Sequence, residues 1–306
     1  MNVSKNLAYA LMVFAAIMWA TSGTLTELAL DAGAEVLQVT LFQMIVSALI
    51  LVPLIAVLDP KAFRIERSDF WPLLAFSLIT GTFFSVAWFM CVERTGVATA
   101  VILLYTYPSI VVIASVFLLR ERLGAEKAVA LPMTFVGCVL VAGAQDLQEG
   151  LTFDLIGVAL GVYVGVAAAV YYLWGKRFLA KYSANTLVLY MTVLSIPGLV
   201  IIANPLTVTE NHLGALAWLY IFLLGLMPGA IGFLVSMVAL KNIEASRASI
   251  IASIEPVAAV LIAFAVLSQA LTPLQVVGVV LVFVAVVLIR VRESAEEAKE
   301  AALLEK

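Results

Sequence analysis

The sequence predicts an all-α polytopic membrane protein of ten transmembrane helices, arranged as two inverted five-helix repeats. Three observations carry that reading. First, 64% of the 306 residues are hydrophobic and 12% are charged, with a mean hydropathy of +1.13. A soluble domain is nearer half apolar and a quarter charged. The apolar runs are about twenty residues long, enough helix to cross a hydrocarbon core of roughly 30 Å, and no alternating barrel-type segments occur. Second, the basic residues fall on alternate loops. One set of loops, with both termini, holds Lys5, Lys61, Arg64, Arg67, Arg120, Arg122, Lys127, Lys176, Arg177, Lys181, Lys241, Arg247, Arg290, Arg292, Lys299 and Lys306. The other set holds only Arg94 of the 17 Lys and Arg. Third, the chain repeats at an offset of 148: Pro108 falls on Pro256, Gly81 on Gly229, Leu123 on Leu271 and Phe135 on Phe283.

The predicted spans are 7–27, 36–58, 70–92, 97–119, 127–144, 155–175, 184–203, 214–240, 245–267 and 273–291. The first resembles a signal peptide in length, but its cleavage would delete one member of the first repeat, so it reads as a retained span. Trp19, Ser22, Gly23 and Thr26 within it recur at helical spacing and form one polar and aromatic stripe. Such a stripe is costly against lipid, so it faces protein or water. Close packing through small residues is the competing explanation. The third span repeats the pattern with Ser77, Gly81, Phe84 and Trp88, and the eighth with Gly225, Gly229, Gly232 and Ser236 around Pro228. Gly157, Gly161 and Gly165 in the sixth form a small-residue row of the helix-packing kind.

The fourth and ninth spans each carry a mid-span proline, Pro108 and Pro256. Proline removes a helical hydrogen bond and breaks or kinks the helix. Five spans per half is an odd number, so the second half enters the membrane with opposite polarity. The halves are residues 1–148 and 149–292, followed by a charged, helix-forming tail, 293–306. The basic bias places both termini in the cytoplasm. Cys91 and Cys138 lie inside apolar runs and make neither a disulfide framework nor a metal site. His212, the single histidine, reads as a solvated residue of an outer loop.

These marks resemble the drug/metabolite transporter superfamily, of the EamA-domain type. The resemblance rests on Pro108, then Glu121-Arg122-Leu123-Gly124, then Gly137. In the second half it rests on Glu255-Pro256, Leu271-Thr272 and Gly278. It covers nearly the whole chain, with Gln269 a departure where the family often has Glu. It implies a central cavity lined by spans 1, 3, 4, 6, 8 and 9, with 5 and 10 as supports. It also implies metabolite export from a prokaryotic inner membrane, with amino acids, aromatic ones included, among the substrates.

The residues themselves fit such a cavity. Tyr105 and Tyr107 lie deep in the fourth span beside the proline break, where buried phenols need partners. Tyr171 and Trp174, with Trp19 from the other half, could sandwich a planar substrate or hold an ammonium group through cation–π attraction. Ser253 and Glu255 flank the second break. Glu255 is the one ionisable residue near the middle of a span, which makes it a coupling candidate or a counter-charge for a substrate amine. At 100° per residue, however, it points away from Ser253 unless the proline distorts the helix. The expected substrate-contacting set is therefore Trp19, Ser22, Thr26, Phe84, Trp88, Tyr105, Tyr107, Tyr171, Trp174 and Ser253, with helix breaks at Pro108, Pro228 and Pro256. The mid-spans carry no Lys or Arg, which disfavours phosphorylated substrates. No Walker loop, metal cluster or nucleophile–base pair is present, so an enzyme, an ATP-driven pump and a cofactor are not expected. Expected partners are a small-molecule substrate and the lipid bilayer, without nucleic acid. The small-residue rows leave packing within one chain or between copies open. A multidrug or organic-cation exporter, and a membrane scaffold or intramembrane enzyme, stand as alternatives.

Overall fold

In the computed structural model, residues 3–143, 154–203, 213–267 and 271–304 are described, and all their regular structure is helical. The Ser4 hydroxyl accepts the Leu7 amide to open α1, Lys5–Asp31. Gly33, at φ +92°, turns the chain into α2, Val36–Leu58, where only glycine is unstrained. Then follow α3 (Phe70–Ser77), a π-helical stretch Leu78–Phe83, α4 (Phe84–Leu104), α5 (Tyr107–Leu118) and α6 (Ala125–Gly143). Next come α7 (Leu155–Lys181), α8 (Ala184–Ala203), α9 (Ala215–Leu224), a second π-helical stretch Gly225–Gly232 and α10 (Phe233–Asn242). The chain ends with α11 (Ala245–Ala252), α12 (Glu255–Leu267) and α13 (Pro273–Leu304), so the tail continues the last helix. His212 and Gln269 lie outside the described residues.

Nine helical runs among the described residues are long and apolar enough to cross a membrane, against the ten expected from sequence. The difference lies in one run of 52 residues, Arg67–Leu118, which sequence reasoning divides into spans three and four. Helix flanks Gly96 on both sides, without the predicted loop, but Gly96 itself sits at φ +79°, ψ 164°. There the chain doubles back. Cys91 Sγ and Leu103 Cβ both lie 2.9 Å from where a Cβ on Gly161 would stand. In a straight helix those two residues would be about 18 Å apart. The glycine row of α7 therefore packs into this fold-back, Gly157 against Arg94 and Thr95, Gly165 against Thr106.

The two π-helical stretches occupy positions that the offset of 148 superposes, and so do their contacts. Ser47 of α2 donates to the Gly225 carbonyl at 2.9 Å and to Gln43 O at 2.7 Å. Ser195 of α8 donates to the Ser77 carbonyl at 2.8 Å and to Met191 O at 2.7 Å. Each of these four pairs maps onto its counterpart at that one offset. A wide π turn leaves carbonyls free for such outside donors. α6 and α13 lie against each other through glycines, since a Cβ on Gly278 would stand 2.6 Å from Gly137 O.

Candidate functional site

The helix breaks gather the site. α4 ends at Leu104 and α5 starts at Tyr107; α11 ends at Ala252 and α12 starts at Glu255. Tyr105-Thr106 and Ser253-Ile254 are the non-helical pairs, again 148 apart. Pro108 and Pro256 each fall in the first turn of the new helix, where a missing N–H costs nothing. Pro228 is buried inside the second π-helical stretch.

Around these breaks stands a buried aromatic assembly drawn from both halves. Tyr107 stacks on Tyr172, centroids 5.4 Å apart and rings within 2° of parallel. Tyr105 lies 5.9 Å from Tyr107, and Tyr171 meets Tyr172 edge-on at 5.2 Å. The Tyr107 hydroxyl donates to the Ser249 carbonyl at 3.3 Å. Tyr171 Oη and Ser236 Oγ share a hydrogen bond of 2.5 Å. Trp19 reaches this assembly through Tyr171 at 6.0 Å and Phe233 at 5.5 Å. Its indole Nε1 is buried with no hydrogen-bond partner among the described residues. Of the expected aromatics, Tyr171 meets the Trp19 ring, and Phe233 is its other ring neighbour. Tyr172 and Phe233 are members that sequence reasoning missed, because nothing in an apolar run marks which face turns inward.

Glu255 is half-buried at the start of α12, near the positive end of that helix. The reckoning at 100° per residue from Ser253 fails here, because the break lies between the two residues. Ser253 is fully buried, with its Oγ donating to Ser249 O at 3.2 Å. Phe84, Trp88, Trp174, Ser22 and Thr26 are half-buried, and no ring contact involves Phe84, Trp88 or Trp174 among the described residues. α1 instead lines a cleft of about 210 Å³ with Ala20, Gly23, Thr24 and Glu27, facing Ala259, Val260 and Ala263 of α12. The cleft-facing stripe thus shares only Gly23 with the predicted one. Cys91 and Cys138 are buried free thiols, and no group of potential metal ligands occurs among the described residues.

At the opposite end of α12's partner segment, buried charges join the halves. The Glu121 carboxylate accepts Ala245 N at 2.7 Å and Ser246 N at 3.1 Å, and also the Ser246 hydroxyl, so it caps α11. Arg120, at φ +57°, makes the left-handed turn after α5 that brings Glu121 there. Lys127 is 1% exposed and donates to Arg122 O and Glu244 Oε2, each at 2.8 Å. Arg247 Nε lies 2.8 Å from the same Glu244 oxygen. Burial pushes the Glu244 carboxyl up, but Lys127 and Arg247 outweigh it and hold it below its ordinary value. Sequence reasoning named Glu121 only as part of a motif, counted Lys127 only among the loop bases, and passed over Glu244. The contacts that join the halves, Lys127 to Glu244 and Glu121 to Ala245, span 117 and 124 positions, beyond any local pattern.

The family model described as EamA-like transporter family matches residues 6–143 and again 155–291. A Salmonella typhimurium (strain LT2) protein described as uncharacterized inner membrane transporter YicL is 25% identical over 287 residues. The match covers 91% of this chain and 93% of that one. A crystal structure described only as that of a protein superposes with a TM-score of 0.79 at 18% identity. It covers 93% of this chain and 96% of its own, a likeness of fold alone.

Proposed function

The chain belongs to the EamA-like transporter family, and from that premise we propose that it exports amino acids, aromatic ones included, or related small metabolites. On this reading it is a secondary transporter that works by alternating access between two inverted five-helix halves. The observation that carries the reading is the reciprocal pair of contacts, Ser47 to Gly225 and Ser195 to Ser77. Each half reaches across to the start of the other's π-helical stretch in the same way, so exchanging the halves' conformations conserves these contacts. The tenth span comes from dividing Arg67–Leu118 at Gly96. Its 52 residues would otherwise run about 78 Å, more than twice a bilayer core.

The described state has one end closed and the other cleft. The basic-loop end, assigned to the cytoplasm of a prokaryotic inner membrane, is held by Glu121, Lys127, Glu244 and Arg247. The offset puts Gln269, Gln275, Gly96 and Thr99 at the matching places of the other end. Gln275 there caps its own helix through Thr272 and donates to Val141 O at 3.2 Å. A buried ionic network on one side, against an exposed Arg94–Asp154 pair at 3.6 Å with neutral residues at the matching places on the other, favours the conformer open at the 210 Å³ cleft. Substrate would sit between Trp19, Tyr171 and Phe233 on one side and Tyr105, Tyr107 and Tyr172 on the other. Glu255 serves there as counter-charge or proton carrier.

Counterflow in proteoliposomes tests the reading. Saturable exchange of labelled aromatic amino acids supports it; silence toward every small solute sinks it and leaves a scaffold or an intramembrane enzyme. A specific observation favours a second reading, an organic-cation exporter. Glu255 opens α12 at the break equivalent to Tyr105-Thr106, and among the described residues no ion pair sets a base beside it to receive a substrate carboxylate. Exchange of lipophilic cations but not of zwitterions would select that reading.

A further inference from the structure

The linker between α2 and α3 carries charges of both signs, and the two signs have different fates. Asp59 accepts Asn185 Nδ2 at 3.0 Å and Ser183 Oγ at 3.3 Å. Asp69 accepts Lys181 Nζ at 2.6 Å and the Tyr182 hydroxyl. Glu66 pairs with Lys181 at 2.5 Å, and its own N–H donates to Tyr182 Oη at 3.1 Å. The linker's acids are thus engaged by the α7–α8 turn. Its bases are not. Lys61, Arg64 and Arg67 are exposed, and no hydrogen bond or ion pair engages their side chains among the described residues.

Large aromatic side chains stand exposed among these bases: Phe63, Phe70 and Trp71, the last 71% exposed. Beside Arg67 opens a cleft of about 370 Å³, lined by Ile65, Arg67, Phe70 and Tyr190. Tyr190 comes from the other half and closes the cleft wall by donating its hydroxyl to Phe63 O at 2.9 Å. The cleft lies where α2 ends at Leu58 and α3 begins at Phe70, hence at the level where hydrocarbon gives way to headgroups.

We propose that this cleft binds the headgroup of an anionic phospholipid. The phosphodiester pairs with Arg67, whose forked guanidinium matches phosphate oxygens, with Arg64 and Lys61 adding charge. The acyl chains run along Phe70 and Trp71. Because Tyr190 and Arg67 come from different halves, a bound lipid bridges them. The inference rests on the membrane placement of the helices and not on any transported substrate.

The test uses the full-length protein purified in a neutral detergent, titrated with short-chain phosphatidylglycerol, phosphatidylcholine or inorganic phosphate while thermal stability is followed. Phosphatidylglycerol should stabilise the chain at concentrations at which phosphatidylcholine and phosphate do not. Arg64→Gln with Arg67→Gln should weaken its apparent affinity by roughly tenfold or more, whereas Arg177→Gln, an exposed base elsewhere on the same face, should leave it unchanged. Equal stabilisation by phosphatidylcholine, or equal loss in Arg177→Gln, overturns the site. An equal response to inorganic phosphate overturns the lipid assignment and leaves an anion site. All three positions are exposed, so the variants should melt like the parent without lipid, and a silent counterflow assay would not touch this result.

Discussion

Lys127 and Glu244 meet at 2.8 Å across the boundary between the halves, with the lysine side chain only 1% exposed and the glutamate 37%. The inequality decides what each substitution does. Lys127→Met leaves Glu244 to Arg247 alone and strips Arg122 O of its donor, while the buried butyl stem is replaced in kind. Removing one partner of a buried pair costs about 3–5 kcal/mol, and the partial exposure of Glu244 places this case near or below the lower end. Glu244→Gln should cost less, since its partners keep a neutral acceptor. A thermal-melt double-mutant cycle should return a coupling of about 1–2 kcal/mol. Additive effects would remove the pair from the closure.

The same pair gives the closed end a pH dependence. Glu244 titrates below its ordinary value of 4.5 because Lys127 and Arg247 outweigh its burial. A depressed carboxyl contributes stability that is fully present above its unfolded-state value and is lost as pH falls through the folded-state value. The melting temperature of the parent should therefore decline below about pH 4.5, and Glu244→Gln should flatten that acid limb. Parallel acid limbs in the two proteins would assign the decline to other carboxyls.

Glycines at the π-helical stretches should respond unequally. A Cβ on Gly229 would meet Ser47 Oγ, with Ser47 Cβ at 3.3 Å; one on Gly81 would meet Ser195 Oγ, with Ser195 Cβ at 2.8 Å. Gly229→Ala and Gly81→Ala should each destabilise by about 1–3 kcal/mol through overpacking. Adding Ser47→Ala removes the offending oxygen and should restore much of the loss at 229. Adding Ser195→Ala should restore little at 81, because the remaining Cβ still stands too close. Thermal melts of the four variants check the asymmetry, and equal rescue at both sites would contradict the packing.

The membrane class and the register of the repeat are legible in the sequence because composition, the Lys and Arg bias and the proline spacing are each local or additive. The partners at the site are not. Tyr171, Trp174 and Trp19 are named together from the sequence, yet only the rotation of α7 decides that Tyr171 is the one whose ring meets the indole. Glu255 and Ser253 look opposed at helical spacing, yet the chain breaks between them, so the angle does not carry across. Gly96 reads as a loop residue, yet helix continues on both sides of it and the reversal is made by one pair of dihedral angles. Long-range contacts such as Glu121 on the α11 amides leave no periodic trace at all.

Trp19 offers the sharpest separation of packing from recognition. Its Nε1–H is buried without a partner among the described residues, a state that costs about 1–3 kcal/mol. Trp19→Phe removes that donor and keeps an aromatic ring against Tyr171 and Phe233, so the lost packing and the relieved desolvation offset each other. The melting temperature should change by less than the equivalent of about 1 kcal/mol. Substrate affinity in counterflow should nonetheless fall about tenfold, because a ligand in the site is what the free N–H is placed to meet. Gly232→Ala acts differently: its Cβ would stand 2.9 Å from Nε1, displace the indole, and lower both stability and affinity. If Trp19→Phe leaves affinity untouched, the indole serves packing alone and the substrate does not contact α1 at this level.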